Sequence, residues 1–395
     1  MHLDDAIDQT LARIDRAGLR RTLLSLDSPP GPRVVVDGRE LVNLCGNDYL
    51  GLAGDAGIIQ AGIEAAQKFG AGSGASRLVT GSPSCHGELE DALARFFGTE
   101  AALLCGSGYH ANTGLIPALA GKNDVVFSDE LNHASIIDGC RLSKAERHTY
   151  RHADITHLEQ LLTEHRDGKD LAFVVTESVF SMDGDTPDLA AIADLCERHD
   201  AALIVDEAHA VGVLGAGRGA MAALGLTGRA AAVVGTFGKA FGSFGAFVAT
   251  SAKIRELLIN RSRSVIFSTA LPPFAVGAAH EALRRIEAQG AAFETRLHEV
   301  AHELAQAARE AGLSVLEPAA AVVPAIVGGE AEALAVAEKL LDAGILARAI
   351  RPPTVPPGSC RLRLTACVTH SPEDLARVHE AFGAIGRGSG AEPPD

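Results

Sequence analysis

Apolar residues at Leu3, Ile7, Leu11 and Ile14, with charges between them, repeat at helical spacing and predict an amphipathic helix over 3–24. Pro29, Pro30, Gly31 and Pro32 end it, and β-branched residues from Arg33 to Leu44 around Asp37-Gly38 predict a strand pair with a hairpin turn. From about residue 60 to 280 the pattern changes. Short apolar runs (Ala101–Cys105, Asp124–Phe127, Leu171–Thr176, Ala201–Val205, Ala231–Gly235 and Ala246–Ala249) alternate with stretches of helical period. Runs without polar alternation belong to strands covered on both faces, so the expected fold class is α/β, a mostly parallel sheet with helices on both faces. After Pro272-Pro273 a long helical pattern reaches about Gly312, and shorter elements beyond it predict a smaller α+β C-terminal domain. The expected division is an N-terminal arm over 1–45, a large domain over 46–282, a small domain over 283–385 and a disordered tail over 386–395.

Charge narrows the partners. Thirty-five Lys and Arg against 50 Asp and Glu give a net charge of −15, which repels nucleic acid and anionic membranes, so neither is an expected partner. No apolar run reaches the ~18 residues of a membrane span, and the N-terminus lacks the basic start and apolar core of a secretory leader, which predicts a cytoplasmic protein. Seven cysteines without a Cys-x-x-Cys pair fit reduced thiols better than disulfides or zinc, and no metal is expected.

In a parallel sheet ligands bind at the carboxyl ends of strands, and there the chemistry gathers. Ala101–Cys105 is followed by Gly106-Ser107-Gly108-Tyr109, a small-residue turn into a helix whose free N–H groups suit a phosphate. Ala201–Val205 is followed by Asp206-Glu207-Ala208-His209, and an aspartate at a buried strand end is costly unless it meets a cation. Ala231–Gly235 is followed by Thr236-Phe237-Gly238-Lys239, a lysine among small residues. Leu171–Thr176 leads to a turn carrying Ser178, Ser181 and Asp183. Taken singly, each has a bland reading as a structural turn, a helix cap or a solvated lysine. Together they suit pyridoxal phosphate, which needs donors for its phosphate, an acid for its ring nitrogen and an amine for its aldehyde.

These residues, with Asn47-Asp48-Tyr49-Leu50-Gly51-Leu52, Gly72-Ser73-Gly74-Ala75-Ser76-Arg77, Asn132-His133-Ala134-Ser135 and Ser268-Thr269, resemble the α-oxoamine synthase branch of the fold-type I pyridoxal phosphate enzymes over nearly the whole chain. Ile350-Arg351-Pro352-Pro353-Thr354-Val355-Pro356 and Arg361-Leu362-Arg363-Leu364-Thr365 are similar to the members that act in biotin synthesis, more than to the glycine-using ones. The departures are small: Ala246 stands where many relatives carry a glycine, and Tyr109 where another aromatic is common.

The resemblance implies that Lys239 holds the coenzyme as a Schiff base and shuttles a proton, that Asp206 pairs with the ring nitrogen, and that His209 and Ser181 bond its phenolic oxygen. His133 would stack on the ring, completing a catalytic set of Lys239, His133 and Asp206. Ser107, Gly108, Tyr109 and Thr236 would hold the phosphate, with Ser268 and Thr269 reaching it from a second subunit of a homodimer. Arg351 would grip the amino-acid carboxylate, and Arg20, Asn47, His133 and Thr354 would meet substrate. The implied substrates are L-alanine and pimeloyl-CoA or a pimeloyl-acyl carrier protein. The alternatives are a glycine-using synthase of the acetyltransferase or aminolevulinate type, or an aminotransferase on the same fold. A nucleotide-binding domain is disfavoured, because no Walker A lysine motif follows the Gly-rich turn.

Overall fold

A computed structural model describes residues 2–16, 18–352 and 354–388. The helix Leu3–Arg16 buries none of its residues. The helix expected over 3–24 stops there because its apolar stripe finds no surface in this chain to pack on, and Gly18, at φ 64°, turns the backbone away. Strands β1 (Arg33–Val36) and β2 (Arg39–Asn43) form the expected hairpin. Its two turn residues, Asp37 and Gly38, both have positive φ (49° and 72°), the geometry whose twist matches the flanking strands.

The central sheet has seven strands: β3 (Ala101–Cys105), β4 (Val125–Asp129), β5 (Glu146–Tyr150), β6 (Ala172–Glu177), β7 (Ala202–Asp206), β8 (Ala232–Thr236) and β9 (Ala246–Thr250). Their spatial order is β3-β9-β8-β7-β6-β4-β5, with β9 the single antiparallel member. Because β9 is antiparallel to both β8 and β3, the carboxyl ends of β3, β8, β7, β6 and β4 all reach one edge. The α/β fold class is as expected. The strand missing from the sequence pattern is β5, Glu-Arg-His-Thr-Tyr, whose polar side chains suit a sheet edge and give no apolar run.

The C-terminal part contributes β10 (Ser314–Val315), β11 (Val322–Gly328), β13 (Ala349–Ile350) and β14 (Cys360–Thr365) to a second sheet ordered β10-β11-β14-β13. The short β12 (Ile345–Leu346) instead pairs in parallel with β2, tying the N-terminal hairpin to this part. The helix Pro273–Glu310 runs without a break through the division expected at 282–283. It lies against the helix Ala56–Phe69, and two glycines allow the approach. A Cβ on Gly277 would sit 2.6 Å from Ala65 Cβ, and one on Gly62 would sit 2.7 Å from the Phe274 ring. The last helix, Pro372–Gly388, takes in residues 386–388, the start of the tail expected to be disordered. Residues 389–395, the rest of that tail, lie outside the described residues. All seven cysteines are unpaired. No helix among the described residues is long and apolar enough to cross a membrane.

Candidate active site

Three neighbouring strands end in titratable groups. β7 ends at Asp206, β6 at Glu177, and Lys239 follows three residues after β8. Asp206 is buried; it accepts from Asn112 Nδ2 at 2.6 Å and, in its own turn, from the Ala208 N–H at 2.9 Å. Lys239 Nζ lies 2.8 Å from His209 Nε2, and His209 Nδ1 lies 2.6 Å from the Tyr49 hydroxyl. The chain of contacts continues, since Tyr49 donates to Asn47 Oδ1 at 3.2 Å and Arg363 Nη2 donates to the same oxygen at 3.1 Å.

Burial sets the proton affinities. It pulls the Lys239 ammonium down to about 8, against the carboxylates of Asp206 and Glu177 that would hold the proton on. It pushes Glu177 up to about 8, with Asp206 adding to the effect. His209 is drawn well below the usual imidazole range by burial and by the nearby Lys239 and Arg363 charges. A neutral imidazole has a single N–H to share between Tyr49 and Lys239. His133 is lowered too, chiefly by burial; its backbone N–H donates to Glu177 and its Nδ1 lies 2.7 Å from Ser135 Oγ.

Beside Thr236 the helix Gly108–Leu119 begins. Ser107 caps it, its hydroxyl oxygen accepting from the His110 N–H at 3.1 Å, which leaves the Gly108 and Tyr109 N–H groups without partners among the described residues. A Cβ on Gly108 would touch Thr236 at 3.9 Å, so the two candidate phosphate-holding segments are neighbours. The Tyr109 ring stands edge-on to His133, with centroids 6.4 Å apart, and its hydroxyl donates to Asp138. These groups fit pyridoxal phosphate: an amine at low proton affinity, a buried carboxylate with only two donors, and unpartnered N–H groups at a helix start.

Asn47, His133, Ser181, His209, Lys239 and Arg363 line one cavity of about 390 Å³. Thr354 lines an adjoining cavity of about 380 Å³ that shares Ser181 and Met182 with the first. Ser268 and Thr269 lie elsewhere in the chain, in a small recess with Arg77 and Gly106. Two expected substrate residues are not brought in. Arg20 is exposed and pairs with Asp15 at 3.5 Å, because the helix it was expected to extend has already ended. Arg351 donates to the Gly18 carbonyl at 3.2 Å and lies 3.9 Å from Glu330, outside the lining of the cavity.

Arg363 takes the position at the cavity that the sequence suggested for Arg351. Its Nε donates to the Ser181 carbonyl and its Nη1 to Thr365. The signal was available, since Arg361 and Arg363 alternate with leucines in a strand buried along its whole length, and an interior arginine needs a reason. Tyr49, Asn112 and Glu177 were also missed as site residues; Tyr49 sits in a quoted motif, Glu177 at a strand end and Asn112 one turn into the helix Gly108–Leu119, and none has a distinctive pattern of its own.

Residues 39–382 match the aminotransferase class I and II family. The chain is 48% identical over 379 residues to an 8-amino-7-oxononanoate synthase from Geobacter sulfurreducens, covering 95% of this chain and 97% of that one. Among solved structures, a variant serine palmitoyltransferase from S. paucimobilis with bound PLP and myriocin superposes with a TM-score of 0.91 at 32% identity, covering 98% of this chain and 99% of that one. An 8-amino-7-oxononanoate synthase from Francisella tularensis superposes with a TM-score of 0.74 at 29% identity, over 88% of this chain and 98% of that one.

Proposed function

The chain belongs to the aminotransferase class I and II family and, within it, to the 8-amino-7-oxononanoate synthases, and from that premise we propose that it joins L-alanine to a pimeloyl thioester, releasing CO2 and the free thiol of coenzyme A or an acyl carrier protein. The enzyme is pyridoxal phosphate-dependent, as its structural relatives with bound PLP support. That coenzyme, when bound, supplies the electron sink that makes an amino-acid α-carbon acidic.

The chain's own groups do the rest. Lys239 Nζ, with its proton affinity lowered to about 8, can take a proton from the α-carbon and return it after the carboxylate has left. Asp206 would hold the ring nitrogen, His209 and Ser181 the phenolic oxygen, and His133 the ring face. Ser107, Gly108, Tyr109 and Thr236 would hold the phosphate. The guanidinium of Arg363 orients the alanine carboxylate toward Lys239, a task its planar fork suits. Tyr49 holds His209 in register with Lys239, since it bonds the nitrogen of the ring that Lys239 does not.

The observation that carries this reading is the meeting of Lys239, His209 and Arg363 in one cavity, beside a buried Asp206. The reading extends to a homodimer in which Ser268 and Thr269 serve the partner's phosphate site, and their place in a recess outside the cavity supports it. It extends to a division at residues 45, 282 and 385, with the long helix shared between the two larger parts. Seven unpaired thiols support a reducing, cytoplasmic setting. The test is incubation of the holoenzyme with alanine and pimeloyl-CoA, measuring thiol release and the product's mass. Glycine in place of alanine should give much less thiol, and keto acid without thiol release would sink the proposal.

A further inference from the structure

The adjoining cavity has largely apolar walls, among them Leu131, Phe180, Met182, Leu316, Val355 and Pro356. Two cations are set into these walls. His152 has both ring nitrogens taken, by Asp129 at 3.0 Å and by Asp185 at 2.8 Å. Burial works against its charge, yet the two carboxylates push it up to about 10, and its donors are spent.

Arg361 is different. It is 5% exposed, and it leaves the same face of β14 as Arg363, two residues and about 7 Å along the strand. Its Nη1 pairs with Asp183 and its Nε donates to the Ser359 carbonyl, whereas Nη2 has no hydrogen-bond partner among the described residues. Nη2 is not among the buried unpartnered atoms, so within an otherwise buried residue this donor is open to the cavity that Arg361 lines and can meet an acceptor there. The carboxylates nearby do not forbid an anion. Asp183 is partly open to solvent, and Asp185 is matched by His152, although its Oδ1 is buried without a partner and an incoming anion must keep clear of it.

We infer that the adjoining cavity receives the acyl chain of the thioester and that Arg361 Nη2 binds a carboxylate at the chain's far end, so that the site selects ω-carboxyacyl thioesters. The inference rests on the proposed reaction, of which a pimeloyl group is one such substrate. The shared Ser181 and Met182 mark the junction, with the carbon to be attacked on the Lys239 side and the methylenes on the other. β14 then carries both carboxylate holders, Arg363 for the amino acid and Arg361 for the acyl donor.

The test compares pimeloyl-CoA with heptanoyl-CoA, a chain of the same length ending in a methyl group, in holoenzyme assays with alanine. Wild type should prefer pimeloyl-CoA in kcat/KM by about 10- to 100-fold, the range of a hydrogen bond to a charged group. In Arg361→Met the ratio of the two should fall toward one through a higher KM for pimeloyl-CoA. Arg361→Lys, which keeps a cation beside Asp183, should fall between. Equal use of both thioesters by wild type, or an unchanged ratio in the variants, overturns the assignment. Calorimetric titration of wild-type holoenzyme needs neither variant nor turnover: pimelate should bind at least about tenfold tighter than heptanoate, and equal binding overturns the site. Selective pimelate binding without turnover of either thioester would remove the proposed reaction and keep this site. Turnover without that selectivity would do the opposite.

Discussion

The two walls of the site, which takes in the Lys239 cavity, the groups beside it and the adjoining cavity, are built differently. On one wall, strands of the central sheet end together, and each gives its chemistry from its last residue or from the loop beyond it, as with Asp206, Lys239, His133 and Ser107. On the other, β14 gives its chemistry from within the strand, through Arg361 and Arg363 between Leu362 and Leu364. The first wall exploits free backbone donors and short loops that the fold provides anyway. The second has to bury two guanidiniums, 5% and 8% exposed, which is tolerable only with partners such as Asp183, Asn47 and the Ser181 carbonyl. On the proposed roles, the sheet edge holds the coenzyme and β14 reads the substrates, so damage to each wall should show in different kinetic constants.

The largest effect is expected at the sheet edge. Lys239→Ala should lower turnover by more than about 1000-fold, near the upper range of general acid-base contributions, and abolish the visible absorbance of the loaded enzyme; a variant that keeps both would remove Lys239 from its role. Asp206→Asn should cost about 100- to 1000-fold in α-proton exchange while the far-ultraviolet circular dichroism stays that of wild type, and near-normal exchange would count against the aspartate.

On the β14 wall, Arg363→Lys should raise KM for alanine by about 10- to 100-fold with a smaller loss in kcat. If kcat falls and KM holds, the two walls do not divide their work as described. The lowered proton affinity of Lys239 predicts a pH dependence for loading the coenzyme-free protein. Only the neutral amine attacks an aldehyde, so the loading rate should level off above pH 8 and fall about tenfold per pH unit below it. Stopped-flow absorbance reads this directly, and a rate still climbing at pH 10 would contradict the burial argument. Smallest is Ser107→Ala, which removes a helix cap worth about 1 kcal/mol and should lower the melting temperature of the apo protein by about 1 °C, as read by scanning calorimetry.

The same contrast explains what could be read from the chain. Apolar runs announced six of the seven central strands, and the strand-end rule placed Asp206, Lys239 and Ser107 at one edge. The polar edge strand β5 carried no such run and was missed. On the other wall, the Ile350 to Pro356 motif drew attention to Arg351, but side-chain direction depends on how β13, β14 and the N-terminal segment pack, which short-range pattern does not record. The buried alternation of Arg361 and Arg363 was the better signal, because a charge inside a strand implies a partner across space. In the N-terminal segment the helical spacing runs on to residue 24, but the helix ends at Arg16 because its stripe meets no surface in this chain, and Arg20 is left exposed beside Asp15.

The helix Pro273–Glu310, about 57 Å long at 1.5 Å per residue, acts as a mast stepped into the larger part of the molecule. Glu294 holds it there by accepting from the Gly215 and Ala216 N–H groups, and Gly290 leaves no room for even a methyl group against the Ala216 carbonyl. A molecule braced in this way resists jaw-like opening, since that would bend an unbroken ladder of backbone hydrogen bonds.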